Sequence, residues 1–176
     1  MELIKAIEFA LAKHKDQQRK SGVAYYGHLL KVCGEIVNLN QEIPVQMAGV
    51  LHDTVEDTDV SLSELENVFG ERVASLVSWV TENKELPKIE RKRLYVYNLE
   101  KAPIEAVYVS FTDKLDNLRD YLEEESSFNE EVREFYKNLL EVYHKRLPPS
   151  VTKRMTRLLS DNFEEMKRAQ NYWDTL

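Results

Sequence analysis

Residues 52–58 read HDTVEDT and place one imidazole and three carboxylates within a single short stretch. His52 and Glu56 are four residues apart, as are Asp53 and Asp57, so a helix would present these groups on adjacent faces. Like charges repel, and the C-terminal end of a helix carries partial negative charge, so a bound cation is the simplest compensation. The alternative is a solvated acidic helix end, because charged side chains usually lie on the surface.

Two further groups could complete a metal site with this stretch. Asp113 lies beside the apolar stripe of a predicted buried helix, whose polar face continues through Asp116 and Asp120. His28 stands at the start of another predicted helix, although a lone histidine is more often structural or exposed. Two imidazoles and several carboxylates would form a mixed nitrogen and oxygen site with open positions, which suits Mn, Fe or Zn. We therefore predict a catalytic metal centre.

Such a centre could hydrolyse a phosphorylated substrate. A metal would polarise a phosphoryl oxygen and lower the pKa of bound water, while a carboxylate accepts the proton, and Glu56 is the candidate base. Arg19 and Lys20 stand upstream of His28, where an arginine fork or a lysine charge could hold an anionic substrate. The later basic group within residues 88–93 could equally be a solubilising surface.

The hydrophobic pattern predicts an all-α fold. Only five glycines and five prolines are present, and the stretches between them carry helix-forming residues, which argues against a β-sandwich or barrel. Helical spacing predicts a first helix over about residues 2–19 and a second after His28. A third is predicted from Pro44, with HDTVEDT at its C-terminal end. The SLSE stretch at 61–64 has the spacing of a capping box, and Gly70 marks a helix end.

The second half of the chain is also predicted to be helical. The polar stretch at residues 82–93 is predicted to be a loop leading into a basic helix. From Pro103 the apolar positions fit a long buried helix through Leu122, although AVYVSF alone would also suit a strand. Two more helices follow, separated by Pro148 and Pro149.

Composition narrows the expected compartment and partners. The 176 residues include 24 basic and 31 acidic side chains, and the net charge of -7 opposes attraction to nucleic acid or an anionic membrane. Cys33 is the single cysteine and cannot form an internal disulfide, which suits a reducing cytoplasm. The sequence shows neither a signal-peptide pattern nor an apolar run of about 20 residues. We expect a soluble cytoplasmic protein that binds a small molecule, of an oligomeric state that the sequence leaves open.

Four stretches together resemble a known family. They read AIEFALAKHKDQQRKSGVAYYGH (6–28), AGVLHDTVEDTDVSLSELENVFGERVASLV (48–77), VTENKELPKIERKRL (80–94) and TDKLDNLRD (112–120). This text is similar to the hydrolase domains of RelA/SpoT-type proteins, and most closely to the stand-alone small alarmone hydrolases, including the metazoan SpoT homologues. The likeness covers about residues 6–122, and HDTVEDTD between RKSG and DKLDNLRD is a highly specific combination.

The resemblance implies an all-α HD-domain helical bundle with a single metal centre, formed as one domain over residues 1–176 with C-terminal helices at about 127–173. It implies one Mn²⁺ and removal of the 3′-pyrophosphate of ppGpp and pppGpp. By position in the motifs, the metal ligands would be His28, His52, Asp53 and Asp113. Glu56 and Asp57 would form the acidic pair near the attacking water. Substrate contacts would come from Arg19, Lys20 and Ser21 beside the nucleotide, Tyr25 in the pocket wall, and Asn117 at the ribose or its phosphate.

A few positions depart from the family pattern. Leu29 and Thr112 replace the usual proline and alanine and should be tolerated. Asp116 occupies a position often held by His or Tyr, and Asp120 one that is Thr in several bifunctional members. Extra acid near a polyphosphate would weaken binding, which leaves the substrate range open. The alternatives are an HD phosphatase acting on another nucleotide such as NADPH, or a non-catalytic nucleotide-binding or antitoxin-like protein, which loss of Glu56 or of a ligand would favour.

Overall fold

The computed structural model describes the backbone of residues 1–123 and 129–173, and the side chains of residues 1–123 and 129–161. Over these ranges the regular structure is helical, with one isolated β-bridge between Gln18 and Ala24, which confirms the all-α prediction. AVYVSF is part of a helix and not a strand. The helices are α1 (Glu2–Lys13), α2 (Tyr26–Asn38), α3 (Ile43–Leu51), α4 (Thr54–Asp57), α5 (Leu62–Phe69), α6 (Glu71–Val80), α7 (Lys88–Leu99), α8 (Ile104–Glu123), α9 (Glu130–Arg146) and α10 (Pro149–Trp173).

The first of two compact units spans Met1–Asp116 and is organised around α3. This helix packs against α1, α2 and α6, while α5 packs on α6 and α6 contacts α7. Six of the nine residues of α3 are buried, namely Val45 and the five residues from Met47 to Leu51. A helix that is apolar on most sides belongs in the middle of a core. Residue 52, which follows directly, therefore enters the interior of the unit.

The end of α1 differs from the sequence prediction. The helix ends at Lys13, and its predicted extension to about residue 19 is wrong. His14 turns inward, is buried, and its Nδ1 lies 2.6 Å from Gln17 Oε1, which starts a tight turn. The turn continues through Gly22 at φ +83°, a backbone conformation that glycine adopts without steric cost. Arg19 is thereby folded back toward the start of α2.

The HDTVEDT stretch is also arranged differently from the prediction. It does not extend α3, which ends at Leu51, and the short helix α4 begins only at Thr54. His52 Nδ1 lies 2.9 Å from the carbonyl oxygen of Gly49. A side chain that donates to a carbonyl near a helix end satisfies that carbonyl in place of the next backbone amide. His52 and Asp53 thus occupy a turn between two helices.

The predicted helix boundaries around residue 61 and residue 70 are confirmed. Ser61 Oγ accepts a hydrogen bond of 3.1 Å from the backbone N–H of Glu64, as an N-cap does. Gly70 has φ +90°, ends α5 and precedes α6. A left-handed φ at this position explains why glycine stands there.

The second unit spans Asn117–Leu176, and within it α9 packs against α10. Asn129 caps α9 by accepting from the backbone N–H of Val132, and Tyr136 and Tyr143 are buried. Positions 127 and 128 of the expected C-terminal helices lie outside the described residues. One domain over residues 1–176 stays a prediction. Across the described part of the chain, no helix has both the length and the apolar character needed to cross a membrane.

Candidate metal centre

Four potential ligands converge inside the first unit. His28 comes from α2, His52 and Asp53 from the turn after α3, and Asp113 from α8, and one ligand atom from each lies within 4.8 Å of all the others. His28 Nε2 is 3.2 Å from His52 Nε2 and 3.3 Å from Asp113 Oδ1. His52 Nε2 is 2.8 Å from Asp53 Oδ2. Separations of about 3 Å are expected between neighbouring ligands of one ion with bonds of roughly 2.0–2.2 Å.

The contacts of the two imidazoles suit a bound metal. His52 Nδ1 lies 2.9 Å from the Gly49 carbonyl oxygen, and His28 Nδ1 lies 2.8 Å from Asp116 Oδ2. A carbonyl and a carboxylate only accept, so both Nδ1 atoms can keep their protons while a metal takes the Nε2 lone pairs. The two Nε2 atoms lie 3.2 Å apart, and each also faces a carboxylate oxygen, Asp113 Oδ1 for His28 and Asp53 Oδ2 for His52. This donor set fits a divalent metal.

The charges around the centre favour a cation in the same way. Burial lowers the pKa of His28, but hydrogen bonds with carboxylates, that of Asp113 first, outweigh burial and raise the pKa to about 9. Burial alone would raise the pKa of Asp113, yet the charges of Lys114 and His52 hold it well below its usual range. The centre therefore stabilises ionised carboxylates and positive charge next to them.

Glu56 lies close to this centre and is half-buried. Its Oε2 accepts a hydrogen bond of 2.8 Å from the backbone N–H of Glu82, and its Oε1 is 3.7 Å from Lys84 Nζ. Burial raises the pKa of Glu56, the Glu82 N–H opposes this rise, and the negative charge of Asp53 adds to it. A carboxylate with a raised pKa is a stronger base than an exposed one.

Asp57 is held by two side chains distant in sequence. Gln17 Nε2 donates to Asp57 Oδ2 at 3.0 Å, and Lys84 Nζ forms a short ion pair with Asp57 Oδ1. The Gln17 amide in turn accepts from His14. The acidic pair of Glu56 and Asp57 thus has a fixed orientation and a shared lysine.

Comparison with known proteins identifies the family. Residues 6–146 match the HD domain family. This chain belongs to the HD-domain family. It is 44% identical over 123 residues to human MESH1, guanosine-3′,5′-bis(diphosphate) 3′-pyrophosphohydrolase, a match covering 68% of this chain and 69% of that protein. Drosophila melanogaster MESH1 is 41% identical over 122 residues, covering 66% and 68% of the two chains. The Aquifex aeolicus guanosine-3′,5′-bis(diphosphate) 3′-pyrophosphohydrolase is 35% identical over 149 residues, a match covering 81% of this chain and 20% of that protein.

Solved structures give the same result. A metazoan orthologue of SpoT, described as hydrolysing ppGpp and acting in starvation responses, superposes with a TM-score of 0.83 at 28% identity, covering 92% of this chain and 95% of its own. The Listeria monocytogenes protein lmo0812 superposes with a TM-score of 0.73 at 28% identity, covering 80% and 96%. These matches confirm the resemblance to RelA/SpoT-type HD hydrolases that the motifs predict.

Tyr25, which the family resemblance assigns to the pocket wall, contacts the candidate metal centre. Its hydroxyl donates to Asp53 Oδ2 at 2.6 Å, and its ring stacks on His14 with centroids 5.4 Å apart. Burial, with the charge of Asp53 next, raises the pKa of Tyr25 above its ordinary value, so the hydroxyl stays a donor. Tyr25 therefore orients one of the candidate ligands.

The other predicted substrate contacts are distributed over the turn before α2 and over α8. Arg19 is largely buried and its Nη1 lies 3.7 Å from Asp116 Oδ2, next to His28. Lys20 and Ser21 are exposed in the same turn. Asn117 follows Asp116 in α8, and its contact with the ribose or its phosphate stays a prediction.

Sequence reasoning missed two lysines and a buried acid at this site. Lys114 Nζ lies 2.7 Å from Asp113 Oδ2, which leaves Oδ1 toward the histidines, and Lys84 joins the acidic pair. Glu82 is buried, with Lys92 Nζ at 2.6 Å and Arg91 Nε at 3.1 Å. Part of the later basic group thus compensates a buried charge. Lys114 had a sequence signal, since it follows a candidate ligand directly.

A close helix contact supports His52, and we expect Gly49→Ala to disturb it. A methyl group at Gly49 would overlap Ile36 Cδ1 on α2, the far end of a flexible but fully buried side chain. Overpacking of a buried contact costs roughly 1–3 kcal/mol, against a gain of roughly 0.5–1 kcal/mol from replacing glycine in a helix, so we expect a net loss of stability. Denaturant unfolding should show this loss, with weaker metal binding because the Gly49 carbonyl fixes the His52 ring. Gly34→Ala, on the exposed side of α2 with no atom within 4 Å, is the control and should gain roughly 0.5–1 kcal/mol. Equal stability of the Gly49 variant and the wild type would contradict the steric argument.

Proposed function

We propose that this chain is a metal-dependent hydrolase that removes the 3′-pyrophosphate of ppGpp and pppGpp, giving GDP or GTP and pyrophosphate. The observation that carries the proposal is the set of four ligand atoms within 4.8 Å of one another, followed in the chain by Glu56 and Asp57, which share Lys84. The identity to MESH1 proteins over two thirds of the chain supports the substrate class. The retained ligands and Glu56 argue against a purely non-catalytic binding protein.

The proposed ligands are His28, His52, Asp53 and Asp113. The proposed ion is Mn²⁺: two imidazoles with two carboxylates suit Mn, Fe or Zn, and the resemblance to RelA/SpoT-type hydrolases favours Mn²⁺ among them. Such an ion supplies Lewis-acid stabilisation of the phosphoryl oxygens and makes water more acidic. The surrounding side chains hold the ligands in place: Tyr25 donates to Asp53, and Lys114 binds the second oxygen of Asp113.

Glu56 is proposed to accept the proton of the attacking water at a carboxylate oxygen. The water oxygen forms a bond to the phosphorus attached to the ribose, and the bond between that phosphorus and O3′ breaks. The electron pair goes to O3′, which takes a proton from solvent while Glu56 returns its own proton to solvent, so the products are the 3′-hydroxyl nucleotide and pyrophosphate. Asp57, held by Gln17 and Lys84, is proposed to orient the same water.

Arg19, Lys20 and Ser21 are proposed to bind the pyrophosphate and the nucleotide, with Asn117 at the ribose. Arg19 and Lys20 supply cationic donors in an otherwise acidic chain, and guanidinium geometry matches phosphate oxygens. A cytoplasmic location and the absence of nucleic-acid partners stay predictions from composition.

A substrate panel tests the proposal. The protein is loaded separately with Mn²⁺, Fe²⁺ and Zn²⁺ and incubated with ppGpp, pppGpp, GTP and NADPH, and the products are identified. We expect pyrophosphate and GDP or GTP from the two alarmones, fastest with Mn²⁺. If phosphate is released from NADPH and the alarmones are not hydrolysed, the same metal centre would act on the second candidate substrate, NADPH. No turnover of any compound with a fully loaded centre would overturn the enzyme proposal.

Arg19→Ala is expected to weaken nucleotide binding more than metal binding. Arg19 has no atom in the proposed coordination sphere, and a charge-assisted contact contributes roughly 1.5–3 kcal/mol, which corresponds to a KM for ppGpp raised about 10- to 150-fold. Metal content is measured in parallel. Lys15→Ala removes a nearby exposed cation whose Nζ lies 3.8 Å from Oδ2 of its neighbour Asp16, and it is the control. An unchanged KM for ppGpp would show that Arg19 does not bind the substrate and has only a structural role.

A further inference from the structure

Asp116 is an acid at a position where the RelA/SpoT-type family often has His or Tyr. Its surroundings in the structure explain its presence. It is 3% exposed, and its Oδ2 lies 2.8 Å from His28 Nδ1. Lys31 Nζ lies 3.4 Å from its Oδ1, and Arg19 Nη1 lies 3.7 Å from its Oδ2. The carboxylate therefore faces an imidazole and two cations. Its charge is balanced locally, so the expected repulsion of a polyphosphate is reduced.

The two histidines of the centre are oriented by different means. His52 Nδ1 is bound by a backbone carbonyl, which the fold of α3 fixes. His28 Nδ1 is bound by a side chain on another helix, 88 positions away in sequence. A carboxylate on the second nitrogen of a ligand imidazole fixes the tautomer and increases the basicity of the ligand nitrogen. The orientation of His28 thus depends on Asp116.

We propose that Asp116 is a positioning residue that holds the His28 proton on Nδ1 and so presents the Nε2 lone pair to the metal. The inference rests on the proposed role of His28 as a ligand. Two geometric facts support it: the same ring that contacts Asp116 through Nδ1 has its Nε2 3.3 Å from Asp113 and 3.2 Å from His52. A ring flipped about χ2 would lose both the carboxylate contact and this convergence.

The test compares Asp116→Ala and Asp116→Asn with the wild type. Affinities for Mn²⁺ and Zn²⁺ are measured by competition with a chelating dye, and the His28 ring is observed by long-range ¹H–¹⁵N NMR in the Zn²⁺-loaded protein. Loss of an outer carboxylate is expected to weaken metal binding roughly 10- to 100-fold in the alanine variant. Asparagine still accepts from Nδ1–H, so its loss should be smaller. In the wild type the Nδ1–H proton should be held by Asp116 and give a sharp signal, and in the alanine variant that signal should broaden or disappear through exchange with water.

One control variant and two contradicting outcomes complete the test. Asp59→Asn removes the same charge from a side chain that is 84% exposed, and its metal affinity should match the wild type. A merely structural role for Asp116 would lower the unfolding temperature of the metal-free protein and leave the metal affinity and the Nδ1–H signal unchanged, which would overturn the proposal. If the alanine variant does not fold, Asp116→Leu removes the acceptor while keeping a side chain of similar size. Wild-type affinity in that variant, together with an unchanged Nδ1–H signal, would also overturn the proposal.

The assignment of His28 as a metal ligand can fail independently of the positioning role of Asp116. His28→Ala should lose metal affinity at least as strongly as Asp116→Ala. If His28→Ala binds Mn²⁺ as tightly as the wild type, the ligand assignment itself is wrong. If His28→Ala loses the metal while Asp116→Ala keeps it, only the positioning role is wrong.

Discussion

Replacement of His52 by alanine is expected to remove the bound metal and to abolish hydrolysis of ppGpp. His52 is 1% exposed, and its Nε2 lies 2.8 Å from Asp53 Oδ2 and 3.2 Å from His28 Nε2, so it supplies a central ligand atom. Water cannot replace that nitrogen with the same geometry and basicity. Asp53→Ala should have the same effect. Metal content by mass spectrometry and turnover with excess Mn²⁺ are the two measurements.

The controls separate ligand loss from misfolding. His52→Gln keeps much of the buried volume, and its circular dichroism should match the wild type while metal content falls. His144→Ala removes an exposed histidine, hydrogen-bonded to Thr156 in the second unit, and should retain full metal and turnover. Full occupancy and normal rates in both the His52 and the Asp53 variants would rule out the assigned centre.

Local interactions made much of the fold predictable. The Ser61 cap and the left-handed Gly70 depend on residues within a few positions, and the 3.6-residue period identified α8 despite its strand-like AVYVSF segment. The end of α1 was not predictable in this way. It depends on His14 turning into the core, and Leu3, Ile7, Leu11 and His14 fit one helical stripe equally well.

The site was predictable where a motif identified it and not where distant contacts build it. The spacing within HDTVEDT suggested a cation, the predicted helices made His28 and Asp113 candidates, and the family motifs assigned both as ligands. No sequence pattern joins Gln17 to Asp57, 40 positions apart, or Asp116 to His28. Such pairs form only when helices pack. For the same reason the sequence alone predicts Asp116 to be an extra acid near the polyphosphate, whereas in the structure its Oδ2 contacts the imidazole of His28.

Glu56→Gln is expected to lower kcat by roughly 10²- to 10⁴-fold while metal content and nucleotide affinity survive. Glutamine keeps the size of the side chain, and its amide oxygen can still accept from the Glu82 N–H that Glu56 now binds at 2.8 Å. It lacks a basic carboxylate, so proton transfer from the attacking water is lost. Glu66→Gln, on the exposed face of α5, is the matched control and should leave kcat unchanged.

The dependence of kcat on pH gives the sharper test of Glu56. Burial raises the pKa of this carboxyl above its ordinary value, and only the ionised form can accept a proton. The wild-type rate should therefore fall as the pH drops through that raised pKa, earlier than for an exposed glutamate, and this acidic limb should be missing in Glu56→Gln. Both proteins are assayed at saturating Mn²⁺ and ppGpp, with metal content checked at each pH. A near-normal kcat in the variant would overturn the general-base role, and loss of metal would instead make Glu56 part of the coordination network.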